Sequence, residues 1–146
     1  MVASDGTATG PRPADELAIR GLVARYCMTV DDGRFGDFEA LWADDARIHV
    51  MGATHSGRGA VRAFIEGAQP PKARGRHTTS SHLVTFDGAG RARGWADYVF
   101  FDARGAATNI GRYHDEYVRG DDGEWRFALR EIVFRSGEPE VTATFP

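Results

Sequence analysis

Between His77 and Phe134 the chain alternates apolar and polar residues in four successive segments, each parted from the next by a short loop rich in Asp and Gly. The segments are His77–Phe86, Arg91–Phe101, Ala107–Arg119 and Glu124–Phe134. Their separators are Asp87-Gly88-Ala89-Gly90, Asp102-Ala103-Arg104-Gly105 and Gly120-Asp121-Asp122-Gly123. A period of two with short glycine-containing connections permits little besides hairpins in series, so this half of the chain is expected to form an antiparallel meander.

Upstream the period changes to about 3.6. Ile19, Leu22, Val23, Tyr26 and Val30 share one helical face behind Pro13-Ala14-Asp15-Glu16, a helix start in which a proline and two acids suit the positive end. This first helix should run to about Val30. A second is expected over Phe35–Trp42 with Phe38, Leu41 and Trp42 inward, a first strand over Arg47–Met51, a loop through Gly52 and Gly57, and a third helix over Gly59–Gly67. Gln69-Pro70-Pro71-Lys72-Ala73-Arg74-Gly75 reads as a linker. Helices first and strands afterwards predict an α+β domain: three N-terminal helices packed on a curved, mostly antiparallel sheet, a cone-shaped α+β barrel enclosing a pocket. The domain should span residues 13–137, with tails at 1–12 and 138–146.

Composition removes several functional classes. One domain of 146 residues can bury about 70% of its unfolded surface. A net charge of −3 gives no basic surplus for a nucleic-acid partner. No apolar run approaches the ~20 residues of a membrane span. The lone Cys27 cannot form an internal disulfide, and the N-terminus lacks a basic-then-apolar signal pattern, so the cytoplasm is the expected compartment.

The chemistry-bearing residues each admit two readings. Asp31, at the end of the first helix, either begins the turn at Asp32-Gly33 or performs chemistry. Tyr26 is either a core aromatic or a hydrogen-bond donor to a substrate oxygen. His77 opens a strand after the linker, where it either bonds a loop carbonyl or moves protons at the mouth of the pocket. On the third strand of the meander, alternation groups Gly111, Tyr113, Asp115 and Tyr117 on one face and Arg112, His114, Glu116 and Val118 on the other. A buried Asp115 would need a partner, and Arg130 on the neighbouring strand is available. His82 is expected on the face opposite His77. No Cys/His cluster suggests a metal, and Gly57-Arg58-Gly59 lacks the Lys-Ser/Thr of a phosphate loop, so neither a metal nor a nucleotide cofactor is expected. Trp42, Phe64, Trp95, Phe100, Trp125 and Phe127 should mostly build the core, with a few lining an apolar pocket for a ring-shaped molecule.

The phrases Tyr26-x4-Asp31-Asp32-Gly33, Leu41-Trp42-Ala43-Asp44-Asp45-Ala46, Gly57-Arg58-Gly59-Ala60-Val61, Arg76-His77-Thr78, Gly111-Arg112-Tyr113 and Asp122-Gly123-Glu124-Trp125-Arg126 occur here in an order and spacing that resembles the SnoaL-like branch of the nuclear transport factor 2-like superfamily. The site pattern is most similar to scytalone dehydratase and bile-acid dehydratase. In those enzymes an aspartate ending helix 1 pairs with a histidine starting the strand after helix 3, the places held by Asp31 and His77. Tyr26 matches a tyrosine five residues before the aspartate of the bile-acid enzyme. The second pocket histidine of scytalone dehydratase has no counterpart between Arg91 and Phe101, where Asp97 and Tyr98 stand instead.

The resemblance implies a cofactor-independent lyase or isomerase of dehydratase type, acting on a small apolar oxygenated cyclic or polyketide-like molecule. Asp31, His77 and Tyr26 would be catalytic, and Tyr113, Trp42, Tyr98 and Arg130 would bind substrate. A SnoaL-like polyketide cyclase and a non-catalytic small-ligand-binding domain are the alternatives. The resemblance also implies a homodimer or homotrimer, formed through an outer sheet face that includes Val118 and Phe134.

Overall fold

A computed structural model describes residues 10–135. The order of elements is α1 (Pro13–Asp31), α2 (Phe35–Glu39), β1 (Trp42–Val50), β2 (Ala53–Ser56), α3 (Arg58–Ala68), a 3-10 turn (Pro71–Ala73), β3 (Arg76–Phe86), β4 (Arg91–Phe101), β5 (Ala107–Arg119) and β6 (Trp125–Phe134). The strands form one sheet in the order β2-β1-β6-β5-β4-β3. Every pairing is antiparallel except that of β1 with β6. The result is three helices packed on a curved, open, six-stranded sheet, the expected α+β architecture. No helix among the described residues is long and apolar enough to cross a membrane.

The four-strand meander forms as its alternation and turns predict. Helix α1 lays Ile19, Leu22, Val23, Tyr26 and Val30 against the sheet, each at most 2% exposed. The Tyr26 ring sits at the centre of this core, at centroid distances of 5.5 Å from Phe38, 5.7 Å from Tyr113, 5.8 Å from Phe127 and 6.2 Å from Trp42. Aromatic pairs at such tilted or edge geometries each add about 0.5–1.5 kcal/mol beyond the area they bury.

Four local expectations are corrected. Helix α2 stops at Glu39, because the Leu41 carbonyl accepts the Phe127 amide and Trp42 pairs with Phe127 in register. Trp42 therefore begins β1, its ring 4.9 Å from that of Phe127. The loop through Gly52 contains β2, paired back on β1 through the two-residue turn Met51-Gly52. Arg12, expected in the tail, is anchored: it bonds Asp15 and the carbonyls of Gly88 and Ala89, and its guanidinium covers the Phe86 ring at 4.2 Å. Residues 1–9 of the expected N-terminal tail and all of the expected C-terminal tail, 138–146, lie outside the described residues.

The fourth correction concerns which way side chains face. In β3, Thr79 pairs with Tyr98 but His82 pairs with Ala96, so Ser80 and Ser81 together oppose the single Asp97. In β6, Leu129 pairs with Glu116 and Phe127 with Tyr117, leaving Ala128 as an extra residue. Each bulge inverts the alternation beyond it. His82 consequently turns to the inner face, with its Nε2 3.4 Å from the Tyr117 hydroxyl. Arg130, Ile132 and Phe134 also turn inward, so Phe134 belongs to the cavity wall and not to the outer face.

Candidate active site

The site begins where α1 ends. The Asp32 amide bonds the Met28 carbonyl, and Gly33 takes φ +69°, the left-handed conformation that closes a helix. A side chain there would be strained, and its Cβ would lie 2.4 Å from Nη1 of Arg74. The Arg74 guanidinium crosses over this glycine, and its Nε donates to the Gln69 carbonyl at 3.1 Å. The linker that precedes β3 is thereby pinned to the end of α1, which delivers His77 to Asp31 across 46 residues of sequence.

Asp31 then holds His77 at two points. Its Oδ2 accepts the His77 backbone N–H at 2.8 Å, and its Oδ1 stands 2.6 Å from the ring Nδ1. The side chains are 4% and 11% exposed respectively. A carboxylate accepts and does not donate, so the proton of a neutral imidazole resides on Nδ1 and leaves Nε2 as the basic nitrogen. Asp32 is half exposed and serves the turn.

His77 lines a cavity of about 150 Å³ between the helices and the sheet. Tyr26 and Val30 of α1, and Phe64, Ile65 and Ala68 of α3, form one wall. Tyr98, Phe100, Asn109, Tyr113, Ile132 and Phe134 of the sheet form the other, and Val50, Met51 and Gln69 complete the rim. That volume matches an apolar cavity able to enclose one benzene-sized ring.

The phenols differ in what they can offer. Burial pushes the Tyr26 hydroxyl up to about 12, with the Arg130 charge opposing it. Tyr113 and Tyr98 are raised for the same first reason. All three are neutral donors at ordinary pH. Tyr98 already donates to Oδ1 of Asn109 at 2.9 Å, and its ring stacks on Tyr113 at 4.4 Å. Gly111 makes room for this stack, since a Cβ there would meet Tyr98 at 2.7 Å and the Val133 carbonyl at 2.4 Å.

The sheet thus brings Asp31, His77, Tyr26, Tyr98 and Tyr113 together but places two other candidates elsewhere. Trp42 lies in the core behind Tyr26 and does not line the cavity. Arg130 lies beneath the floor, fully buried. It makes two bonds to Asp115, at 2.8 and 2.7 Å, and its guanidinium sits 3.7 Å from the Tyr113 ring and 4.1 Å from that of Tyr26. The Asp115–Arg130 partnership is the expected one. The Tyr117 hydroxyl donates to the same carboxylate at 2.7 Å. Among the described residues no group of three or more His, Cys, Asp or Glu side chains is arranged to hold a metal ion.

Sequence reading passed over Asn109 and Gln69. Asn109 shares the alternating face of Gly111 and Tyr113, so periodicity could have found it. Gln69 sits in a linker without periodicity and carries no such signal.

The model for the SnoaL-like domain matches residues 11–131. Rv3472, a Mycobacterium tuberculosis protein of unknown function, superposes with a TM-score of 0.77 at 29% identity, over 87% of this chain and 77% of that one. The hexachlorocyclohexane dehydrochlorinase LinA-type3 from Novosphingobium barchaimii gives 0.74 at 23% identity, over 92% and 96%. A putative scytalone dehydratase from Novosphingobium aromaticivorans gives 0.73 at 23% identity, over 92% and 93%. At these last identities the likeness is one of fold. No curated protein matches significantly.

Proposed function

Because the chain belongs to the SnoaL-like domain family, whose fold hosts more than one chemistry, we propose from its own site that it is an acid–base lyase of dehydratase type acting on a small, oxygenated, single-ring substrate. The observation that carries this reading is the double attachment of His77 to Asp31 at the wall of an apolar cavity. His77 Nε2 removes a proton from the carbon next to a carbonyl. The electron pair left on carbon delocalises onto the carbonyl oxygen, where Tyr26, with Tyr113 beside it, donates a hydrogen bond to the enolate. The imidazolium then returns the proton to the β-hydroxyl. The C–O bond breaks, a C=C bond forms, and water leaves. Asp31 remains ionised throughout and stabilises the imidazolium.

Folds similar to this one include a dehydrochlorinase and a putative scytalone dehydratase, both names of elimination chemistry. An enolate formed in the same way could instead attack a second carbonyl of its own chain, as a cyclase requires. A cavity of about 150 Å³ beside His77 suits one ring, and elimination on a single ring needs no more than that.

The test is a screen of cyclic β-hydroxy ketones followed by the appearance of an absorbing enone. Wild type should turn over at least one, with His77→Ala and Asp31→Asn reduced about 10²–10⁴-fold. Full activity in both variants on the true substrate would refute the mechanism.

A further inference from the structure

One polar group of the cavity wall has no part in that chemistry. Gln69 closes α3, where its backbone amide reaches the Glu66 carbonyl and its own carbonyl accepts from Arg74. Pro70 follows and stiffens the chain. The main chain is thus held on both sides, and the side chain borders the cavity. Its Oε1 is buried and has no hydrogen-bond partner among the described residues. An amide oxygen withdrawn from water without a donor costs about 1–3 kcal/mol. The donor-bearing side chains of the same lining, Tyr26, His77, Tyr98, Asn109 and Tyr113, make no hydrogen bond to it.

The terminal torsion of a glutamine is broad, so rotation about it can bring the carboxamide oxygen to the cavity without a backbone shift. A carboxamide oxygen accepts from a hydroxyl or N–H and repels an anion. Among the described residues that line this cavity there is no Lys or Arg, so no permanent cation there pairs with a carboxylate or phosphate. The matching ligand is therefore neutral, ring-sized and a hydrogen-bond donor.

We propose that Gln69 is a specificity-determining residue, whose side-chain oxygen accepts a hydrogen bond from a hydroxyl carried by a single-ring ligand in this cavity. The assignment shares its cavity with the lyase reading but does not depend on any proton transfer by His77.

The experiment is calorimetric titration of the full chain with phenol and with anisole, which differ by methylation of the donor. Wild type should bind phenol about tenfold more tightly, a ratio equivalent to about 1.4 kcal/mol. Gln69→Leu should bind the two equally, and Gln69→Glu, which retains an acceptor, should keep a preference for phenol. His77→Ala should also keep it, even if all turnover is lost, so that failure of the lyase mechanism and failure of this assignment are separable. The proposal is overturned if wild type shows no preference or no binding of phenol, if Gln69→Leu retains the ratio, or if His77→Ala abolishes it.

Discussion

Asp31 bonds His77 twice, once through the main chain at 2.8 Å and once through the ring at 2.6 Å, so a single carboxylate sets both the start of β3 and the tautomer of its histidine. Asparagine cannot replace it. With one carbonyl oxygen and one NH2 group, it can accept from only one of the two donors. Asp31→Asn should lower stability by about 1–3 kcal/mol. It should also shift the ring nitrogen resonances of His77 away from the Nδ1–H tautomer in 15N NMR spectra. An unchanged tautomer would separate Asp31 from the role assigned to it.

The buried Asp115–Arg130 pair predicts an asymmetric response to mutation. Arg130→Leu leaves a carboxylate at 3% exposure with only Tyr117 as side-chain donor among the described residues and should cost about 3–5 kcal/mol in urea unfolding. A double variant, Asp115→Leu with Arg130→Met, removes both charges and should recover most of that loss. A double variant as unstable as the single one would show that the cost lies in packing around Tyr113 and Tyr26, and not in charge.

Alkaline pH should unfold the protein through the end of α1. Burial raises the Tyr26 hydroxyl to about 12 and the Cys27 thiol to about 11. The unfolded chain loses these protons near their ordinary values, 10.0 and 9.0, so it binds fewer protons than the native state in between. Stability is therefore fully present below pH 9 and falls as pH rises from 9 to 12. Each group removes up to about 3 kcal/mol at 1.36 kcal/mol per pH unit. Chemical denaturation at pH 8, 10 and 11.5 measures this, and Cys27→Ala should flatten the first part of the decline.

Met51 stores local strain. It takes φ +51° in a two-residue turn whose second member, Gly52, is at +75°, a pair of positive angles that favours Asn-Gly. Met51 is also 75% exposed, so it gains little from burial. Met51→Asn should raise stability by about 1 kcal/mol, visible as a rise of a few degrees in Tm. A fall in Tm would mean that the methionine earns its place through the cavity rim it helps to form.

Much of the architecture was legible because its signals are local. The apolar face of α1, the four alternating segments and their Asp-Gly turns each report on residues a few positions apart, and all formed as expected. The cost of an unpaired buried carboxylate also pointed from Asp115 to Arg130. The end of α2 was not legible, since Leu41 and Trp42 suit a helix as well as a strand. Only capture by Phe127, 85 positions later in the chain as counted from Trp42, decides between them. Gln69 escaped notice because a linker has no period to read.

From sequence alone came the residue types of the site and the family likeness that joins Asp31 to His77. Which other side chains share their cavity was settled in three dimensions. The bulges at Ser80-Ser81 and Ala128 have no signature in local composition, because they arise from register between strands. Each nevertheless inverts every side chain beyond it. They turn His82 toward Tyr117, set Arg130 beneath the Tyr26 and Tyr113 rings, and carry Phe134 from the outer face into the cavity wall. A strand's pattern says that its two faces differ, whereas its neighbours' hydrogen bonds determine which face points inward at each position.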